Sequence, residues 1–218
     1  MNGTRKCVIF TGGAQFYPER IDFPVNDGDF VIAADSGCKN LFSYCEKVKR
    51  ISPDIILGDM DSYDGDIKND FPDARFISFP PEKDDTDTSL AVKFALEKGF
   101  CDIVIMGGLG GRLDHTLANA FLLEYIKDKG AKGIITDGKN ITFLAENKNF
   151  LEKGSKKYVS VIPLDREVER VTMRGFKYNM NKEKLQRCFF ITVSNEFVSQ
   201  KAIIEIDGGS ALIILSED

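Results

Sequence analysis

Two aspartates separated by one residue, Asp59 and Asp61, are the part of the sequence best suited to chemistry. The stretch that contains them begins at Gly58, directly after the apolar run 55–57, which predicts that they lie at the end of a buried strand. On extended backbone their side chains project to the same side, with Cβ atoms about 6–7 Å apart. Two ionised carboxylates at that distance repel by about 2–3 kcal/mol at an effective dielectric constant of about 20. A cation relieves that cost, and Mg²⁺ typically takes one or two protein carboxylates. The pair therefore predicts a Mg²⁺ and polyphosphate site, set against the alternative of a solvated turn.

Further acidic residues occur at similar positions along the chain. Asp35 follows the apolar run 30–34, where an aspartate ordinarily caps the next helix. The segment 83–88 contains three carboxylates in four positions immediately before a predicted helix. Capping and the helix dipole account for one or two of these acids. The hypothesis is that the remaining acids of this segment share in the metal site.

A glycine-rich loop, 107–111, precedes Arg112, Asp114 and His115. Glycines let backbone N–H groups approach phosphates closely, and arginine offers a forked cation for phosphate oxygens. The spacing matches neither a Walker A loop nor a dinucleotide-binding fingerprint. Asp114 has three possible roles: to hold metal, to orient Arg112, or to cap the helix. For His115, holding the loop by a hydrogen bond is favoured over proton transfer.

The elements that must position these groups alternate along the first two thirds of the chain. Short apolar runs predict strands, and segments with helical periodicity separate them. Crossovers of this kind produce a mainly parallel sheet, and ligands bind outside the carboxyl ends of its strands. The acidic segments all fall at such ends. The predicted strands are 6–11, 30–34, 54–57, 75–79, 102–106 and 132–136, and the predicted helices are 39–49, 88–98 and 114–128.

The sequence pattern changes from about residue 141, where short segments rich in Val, Ile, Phe and Thr are separated by turn residues. This pattern predicts a small antiparallel β domain, a sandwich or partial barrel. The predicted fold class is therefore α/β, with an N-terminal mainly parallel sheet and flanking helices in residues 1–142 and an antiparallel β-sandwich in residues 143–218. The predicted strands here are 158–163, 168–173, 188–194, 202–206 and 211–215.

Composition excludes several classes of protein. A formal charge of −5 argues against a nucleic-acid or anionic-membrane binder. No run approaches the roughly 20 apolar residues that cross a bilayer. Five scattered cysteines without a Cys-x-x-Cys pair predict buried free thiols, and a single histidine argues against a zinc site or a Ser-His-Asp triad. We expect a soluble, cytoplasmic protein.

Four motifs, taken together, resemble the thiamine pyrophosphokinase family in order and spacing, and the resemblance covers essentially the whole chain. Two looser segments, 175–180 and 193–196, resemble that family's thiamine-side segments. The four motifs are Ala34-Asp35-Ser36-Gly37, Gly58-Asp59-Met60-Asp61-Ser62, Lys83-Asp84-Asp85-Thr86-Asp87 and Gly110-Gly111-Arg112-Leu113-Asp114-His115.

The resemblance implies transfer of the pyrophosphoryl group of ATP to the hydroxyl of thiamine, with Mg²⁺, in a homodimer whose active sites lie between subunits. It implies that Asp59, Asp61 and Asp87 hold the metal, and that Arg112 and Asp114 join them in catalysis. Some relatives have tryptophan where this chain has Tyr178. The implied ATP-binding residues are Asp35, Lys83, Asp84, Thr86, Arg112 and His115, and the implied thiamine-binding residues are Tyr178, Ser194 and Asn195.

Two other functions fit parts of this pattern. A diphosphokinase for another hydroxymethyl heterocycle, such as a pterin, would keep the acidic Mg²⁺–ATP motifs and differ in the acceptor pocket. A non-catalytic nucleotide- or thiamine-binding regulator would not need carboxylates at so many strand ends.

Overall fold

The computed structural model describes residues 5–58, 67–78 and 85–218. The chain forms two compact units, residues 1–138 and 139–218. Four of the predicted site residues, Asp59, Asp61, Lys83 and Asp84, lie outside the described ranges.

The first unit contains a parallel sheet with the strand order β6-β5-β1-β2-β3-β4. The predicted parallel sheet with flanking helices is thereby confirmed. A 3₁₀ turn, Pro18–Arg20, follows the first strand. The strands are β1 (Cys7–Phe10), β2 (Phe30–Ala34), β3 (Ile55–Leu57), β4 (Arg75–Ile77), β5 (Asp102–Met106) and β6 (Lys132–Thr136), and the helices are α1 (Gly37–Lys47), α2 (Ile67–Asp70), α3 (Asp87–Glu97) and α4 (Leu113–Asp128).

The order of the strands determines where a ligand can bind in this unit. From β1 the chain proceeds to β2, β3 and β4 on one side, and then returns to place β5 and β6 on the other side. The direction of winding therefore changes between β1 and β5. A crevice forms outside the carboxyl ends of the strands at such a switch point.

The central strands β1 and β2 are continuous apolar runs, as is typical of parallel strands that are buried on both faces. All four residues of β1 are fully buried. Tyr44 of α1 is also fully buried; its ring packs edge-on against Phe10 at 5.5 Å, and its hydroxyl accepts a hydrogen bond from the Val25 N–H at 3.0 Å. The buried phenol is thus satisfied, as burial of a polar group requires.

The second unit contains two groups of antiparallel strands. The strands β12, β9, β14 and β7 pair side by side, and β11, β10, β13 and β8 form a four-stranded sheet. Apolar residues from both groups, among them Val161, Ile213, Val171 and Ile204, share one buried core, which confirms the predicted β-sandwich. The strands are β7 (Asn140–Leu144), β8 (Lys148–Glu152), β9 (Tyr158–Pro163), β10 (Glu167–Arg174), β11 (Met180–Gln186), β12 (Asn195–Glu196), β13 (Lys201–Asp207) and β14 (Ala211–Ser216).

The strand expected at 188–194 is wrong. That segment is made of turns, and Phe189, Phe190 and Ile191 are exposed. Its apolar composition imitates a strand but does not alternate between two faces. Conversely, β11 was not predicted, because only Met180 and Leu185 of its seven residues are buried. An edge strand with one solvated face needs few apolar residues.

All five cysteines are free. Cys7 and Cys38 are buried and Cys45 is half-buried. The prediction of buried thiols is wrong for Cys101 and Cys188, which are exposed. These two residues lie just outside regular elements, where apolar sequence neighbours do not ensure burial.

Candidate active site

A cavity of about 430 Å³ opens at the carboxyl ends of β1, β2 and β5 in the first unit. Its walls are the segments that follow these strands and the first turns of α3 and α4. This is the switch point at which the strand order predicts a ligand site. Five predicted site residues line the cavity together: Asp35, Thr86, Asp87, Arg112 and His115.

The loops after β1 and β2 touch, and glycine permits the contact. A Cβ atom on Gly37 would lie 2.0 Å from the Phe10 carbonyl oxygen, and one on Gly12 would lie 1.8 Å from the Ser36 hydroxyl. Neither position can accept a larger residue without displacing its neighbour. The contact brings the Asp35-Ser36 turn against the end of β1 and so forms one wall of the cavity.

Asp35 adopts a left-handed backbone conformation, with φ of 48°, which is uncommon for a residue other than glycine. Its N–H donates to the Leu57 carbonyl at 2.6 Å, and its carbonyl accepts from Cys38 N–H at 3.1 Å. A Cβ on Gly58 would lie 3.1 Å from the Asp35 Cα atom. The ends of β2 and β3 are therefore adjacent, and the chain enters the segment of Asp59 and Asp61 directly beside Asp35.

The residues of the acidic segment before α3 have different roles. The hydroxyl of Thr86 accepts the Ser89 N–H at 3.1 Å and caps the helix. Both carboxylate oxygens of Asp85 accept hydrogen bonds from the Lys93 ammonium group, at 2.8 and 2.7 Å, and this contact raises the pKa of Lys93. Asp87, in the first turn, lines the cavity. Capping of α3 therefore accounts for the side chain of Thr86, and the side chain of Asp85 is engaged in an ion pair with Lys93.

Arg112 and Asp114 form a two-point ion pair at the start of α4. Arg112 donates from Nε to Oδ1 at 3.1 Å and from Nη2 to Oδ2 at 2.6 Å. The Arg112 guanidinium lowers the pKa of the Asp114 carboxyl, and the His115 N–H donates to the same carboxylate at 3.0 Å. Of the three roles open to Asp114, orienting Arg112 is the one with these contacts.

A metal site depends on the residues that reach the cavity. Within the described ranges no group of three or more His, Cys, Asp or Glu side chains could hold a metal ion. Two of the three expected Mg²⁺ ligands, Asp59 and Asp61, lie outside those ranges. The described residues are chemically suited to Mg²⁺, because Asp35 and Asp87, which line the cavity, carry carboxylate oxygens.

The second unit brings together the three residues expected to contact thiamine. The buried amide of Asn195 accepts the N–H groups of Tyr178 and Glu196, each at 3.0 Å, and donates to the Tyr178 carbonyl at 2.7 Å. Ser194 has a φ of 56°, and its N–H donates to the Ser160 hydroxyl at 3.0 Å. The amide of Asn195 thus fixes the backbone of Tyr178, whose ring is exposed.

Sequence reasoning missed several residues around the cavity. These residues are segment 11–14, Ser36 and Asn119, which line the cavity, and Asn40, whose side-chain amide donates to the backbone carbonyl of Thr11 in that segment. A Gly-Gly pair directly after a strand is the signal that could have identified segment 11–14, since the loop after β5 has the same feature. Nothing in the sequence distinguishes Asn40 and Asn119 from ordinary helical asparagines.

Comparison with known proteins decides the family. Residues 24–135, over half of the chain, match the model of the thiamin pyrophosphokinase catalytic domain. The chain belongs to the thiamin pyrophosphokinase family. Residues 148–211 match the vitamin B1 binding domain of the same family. The family predicted from the sequence motifs is thereby confirmed.

Relatives within the thiamin pyrophosphokinase family cover most of the chain. Thiamine pyrophosphokinase of Bacillus subtilis is 32% identical over 142 residues, which span 64% of this chain and 66% of that protein. Thiamin pyrophosphokinase 1 of Caenorhabditis elegans is 27% identical over 221 residues, covering 97% of this chain and 88% of the relative.

Solved structures of the family share the fold. The crystal structure of the Bacillus subtilis enzyme has a TM-score of 0.86 at 27% identity, covering 98% of this chain and all of that chain (100%). That of Geobacillus thermodenitrificans thiamin pyrophosphokinase has a TM-score of 0.83 at 26% identity and covers 97% of both chains. Within the described residues, no helix is long and apolar enough to span a bilayer.

Proposed function

We propose that this protein transfers the pyrophosphoryl group of ATP to the hydroxyl of thiamine, giving thiamine diphosphate and AMP. One observation supports this most directly. In a chain of the thiamin pyrophosphokinase family, the cavity at the switch point of the sheet gathers carboxylates, a forked cation and glycine loops. That combination suits a nucleotide polyphosphate.

The reaction asks for positioning more than for a protein nucleophile. Thiamine brings its own primary alcohol, so the enzyme must hold that oxygen in line with the β-phosphorus of ATP. Arg112, at the cavity wall, neutralises charge that develops on the phosphate oxygens. A carboxylate near the alcohol accepts its proton, a role we assign to Asp87 or Asp84, and Asp87 lines the cavity.

Mg²⁺ is part of this proposal, held by Asp59, Asp61 and Asp87. When bound, the ion would supply positive charge that offsets the negative charge of the phosphate groups. Asp35 lies beside Gly58, the residue that precedes the pair in sequence, and lines the cavity. ATP-binding roles are assigned in addition to Lys83, Thr86 and His115.

In this proposal the two domains bind different substrates. Residues 1–142 bind Mg²⁺ and ATP, and residues 143–218 bind thiamine through Tyr178, Ser194 and Asn195. We further propose a cytoplasmic homodimer with active sites at the subunit interface. A monomer mass in light scattering at concentrations where the protein is active would reject the dimer.

The deciding experiment is a product assay. Purified protein with Mg²⁺, ATP and thiamine should form thiamine diphosphate and AMP in equal amounts. ADP as the nucleotide product would contradict pyrophosphoryl transfer. Turnover of a hydroxymethyl pterin in place of thiamine would move the substrate assignment to that heterocycle, and binding of ligands without turnover would indicate a regulator.

Substitution of the aspartate pair tests the metal assignment in the same assay. Asp59→Asn and Asp61→Asn should each nearly abolish turnover while the thermal unfolding midpoint stays close to that of the wild type. Asp73→Asn, which neutralises an exposed carboxylate between α2 and β4, is the matched control and should keep full activity. Full activity of both pair variants would remove Asp59 and Asp61 from the metal site.

A further inference from the structure

Asn40 is a polar residue of α1 that has no part in the reaction described so far. Its Nδ2 group donates two hydrogen bonds, to the Thr11 carbonyl at 2.6 Å and to the Gly13 carbonyl at 3.1 Å. Both carbonyls belong to segment 11–14, which follows β1 and lines the cavity. One side-chain amide therefore ties two alternate carbonyls of this loop back to helix α1.

This contact determines where the N–H groups of the loop point. In a planar trans peptide, the carbonyl of one residue and the N–H of the next point in opposite directions. The N–H groups of Gly12 and Ala14 are therefore directed away from Asn40. The other N–H groups of the loop are occupied, since Thr11 donates to Met106 at 2.9 Å and Gly13 donates to Gly107 at 2.8 Å. Within the described part of the chain, the N–H groups of Gly12 and Ala14 have no acceptor.

The loop is held against the glycine segment after β5 without room for side chains. A Cβ on Gly13 would lie 2.1 Å from the Gly107 carbonyl oxygen and 2.4 Å from that of Leu109. On the other side of the crevice, the buried amide of Asn119 donates to the Gly108 carbonyl at 2.9 Å. The two asparagines thus bind backbone carbonyl oxygens on both sides of the crevice. Backbone N–H groups of these loops remain available as donors to an anion.

A second polar group in the loop also lacks a partner. The Thr11 hydroxyl is buried and forms no hydrogen bond within the described residues, and Thr11 as a whole is 3% exposed. A buried hydroxyl without a hydrogen-bond partner is destabilising. A ligand oxygen seated in the loop would remove part of that cost.

We propose that Asn40 is a positioning residue that shapes segment 11–14 into an anion-binding nest for the phosphate oxygens of the nucleotide. The proposal rests on the proposed function in so far as the ligand is a nucleotide polyphosphate. The N–H groups of Gly12 and Ala14 make the contacts, and Arg112 in the wall of the same cavity adds positive charge. Asn40 acts through the loop and does not touch the substrate.

The test compares Asn40→Ala with Asn149→Ala. Asn149 is a matched control in the second unit, because its Nδ2 also donates to two carbonyls, those of Glu146 at 2.7 Å and Ile204 at 3.1 Å. Binding of ATP, inorganic tripolyphosphate and adenosine is measured by calorimetry in the presence of Mg²⁺. Asn40→Ala should weaken ATP and tripolyphosphate about tenfold, the equivalent of about one hydrogen bond, and leave adenosine affinity and the thiamine KM unchanged. Asn149→Ala should lower the unfolding midpoint without changing any of these affinities.

Several results would overturn the assignment. ATP affinity of Asn40→Ala within twofold of Asn149→Ala would give Asn40 a structural role only. Equal weakening of adenosine and tripolyphosphate would move the contact to the nucleoside. If Asn40→Ala does not fold, Asn40→Asp keeps the size, replaces the donor by an acceptor and should show the same loss; wild-type affinity in that variant would reject the nest. Wild-type protein that binds tripolyphosphate but forms no thiamine diphosphate would contradict the proposed reaction alone, and the Asn40 comparison would still be decided by binding.

Discussion

Arg112 and Asp114 meet through two parallel hydrogen bonds at the first turn of α4, and both side chains are mostly exposed. The carboxylate therefore holds the guanidinium fork in one orientation at the edge of the cavity. An incoming phosphate can bind the free N–H groups of a fork whose direction is already set. Orientation of this kind saves part of the side-chain entropy that binding otherwise costs.

Replacing Arg112 by lysine should separate this geometry from charge. Arg112→Lys keeps the positive charge but cannot pair with Asp114 at two points, so kcat/KM for ATP should fall about tenfold or more. The unfolding midpoint should not change, because exposed ion pairs contribute little. Steady-state kinetics and thermal unfolding measure the two effects.

Arg170→Lys is the matched control for that variant. Arg170 pairs with Asp207 in the second unit and is similarly exposed. Its replacement should leave both kinetics and stability unchanged. Equal kinetic losses in the two variants would show that Arg112 has no special relation to ATP.

Thr86 should prove to have a structural task that can be measured apart from catalysis. Its hydroxyl caps α3 by accepting the Ser89 N–H. Thr86→Ala should therefore lower the free energy of unfolding by about 1 kcal/mol, and Thr86→Ser should restore it. Urea titration of the three proteins checks this. Loss of ATP affinity in Thr86→Ala but not in Thr86→Ser would add a substrate contact to the cap; unchanged stability in Thr86→Ala would contradict the cap.

Gly37 should tolerate no side chain. A Cβ there would lie 2.0 Å from the Phe10 carbonyl oxygen, and backbone cannot rotate away as a flexible side chain can. Gly37→Ala should destabilise the first unit by about 1–3 kcal/mol or more. Gly154→Ala, at a site with no atom within 4 Å, should be neutral or slightly stabilising. Similar midpoints for the two variants in thermal unfolding would disprove the close approach of the two loops.

The sequence predicts most of the first unit because its central strands are buried on both faces. β2 and β5 have the predicted bounds, since a continuous apolar run marks such a strand clearly. β6 also has the predicted bounds, although its apolar run is only Ile134-Ile135. The second unit was less predictable. β11 is mostly polar, and the exposed turn that contains Phe189 is more apolar than that strand.

The sequence predicted only some of the residues that form the cavity. Asp35 was predicted because it directly follows an apolar run that marks the end of a strand. Asp87 was predicted from the acidic segment before a helix, and Arg112 from the glycine-rich loop that precedes it. Asn40 could not be predicted, because its role exists only where the loop after β1 passes α1, 27 residues away in sequence from Gly13. Contacts between distant segments depend on packing and leave no local pattern.

Replacement of Ser194 should change the KM for thiamine more than the KM for ATP. Ser194→Ala should raise the KM for thiamine while the KM for ATP changes little, because Ser194 belongs to the β-domain. Its φ of 56° strains alanine, so Ser194→Gly is needed beside it to remove the hydroxyl without backbone strain. Both variants should show the same selective effect in initial-rate measurements. Equal changes in the two KM values would place Ser194 outside the thiamine site.

The cysteines should differ in reactivity according to their burial. Burial, together with the smaller effect of the nearby Asp35 carboxylate, raises the pKa of the Cys38 thiol from 9.0 to about 12. Burial also raises the pKa of Cys7. Iodoacetamide reacts with thiolates. Native protein should therefore be alkylated at Cys101 and Cys188, and Cys7 and Cys38 should react only after unfolding, as peptide mass spectrometry would show.

The same pKa shift makes a prediction about stability at alkaline pH. The unfolded chain releases the Cys38 proton near pH 9 and the folded chain does not, so the stabilisation from the neutral thiol is complete below pH 9. It is lost as the pH rises from 9 toward 12, by at most about 1.4 kcal/mol per pH unit for this thiol. Cys38→Ala should lose stability less steeply than wild type between pH 9 and 10.5, whereas Cys101→Ala, which removes an exposed thiol, should follow the wild-type curve. Parallel curves for wild type and Cys38→Ala in urea titrations would mean that Cys38 ionises in the folded protein as readily as in the unfolded chain.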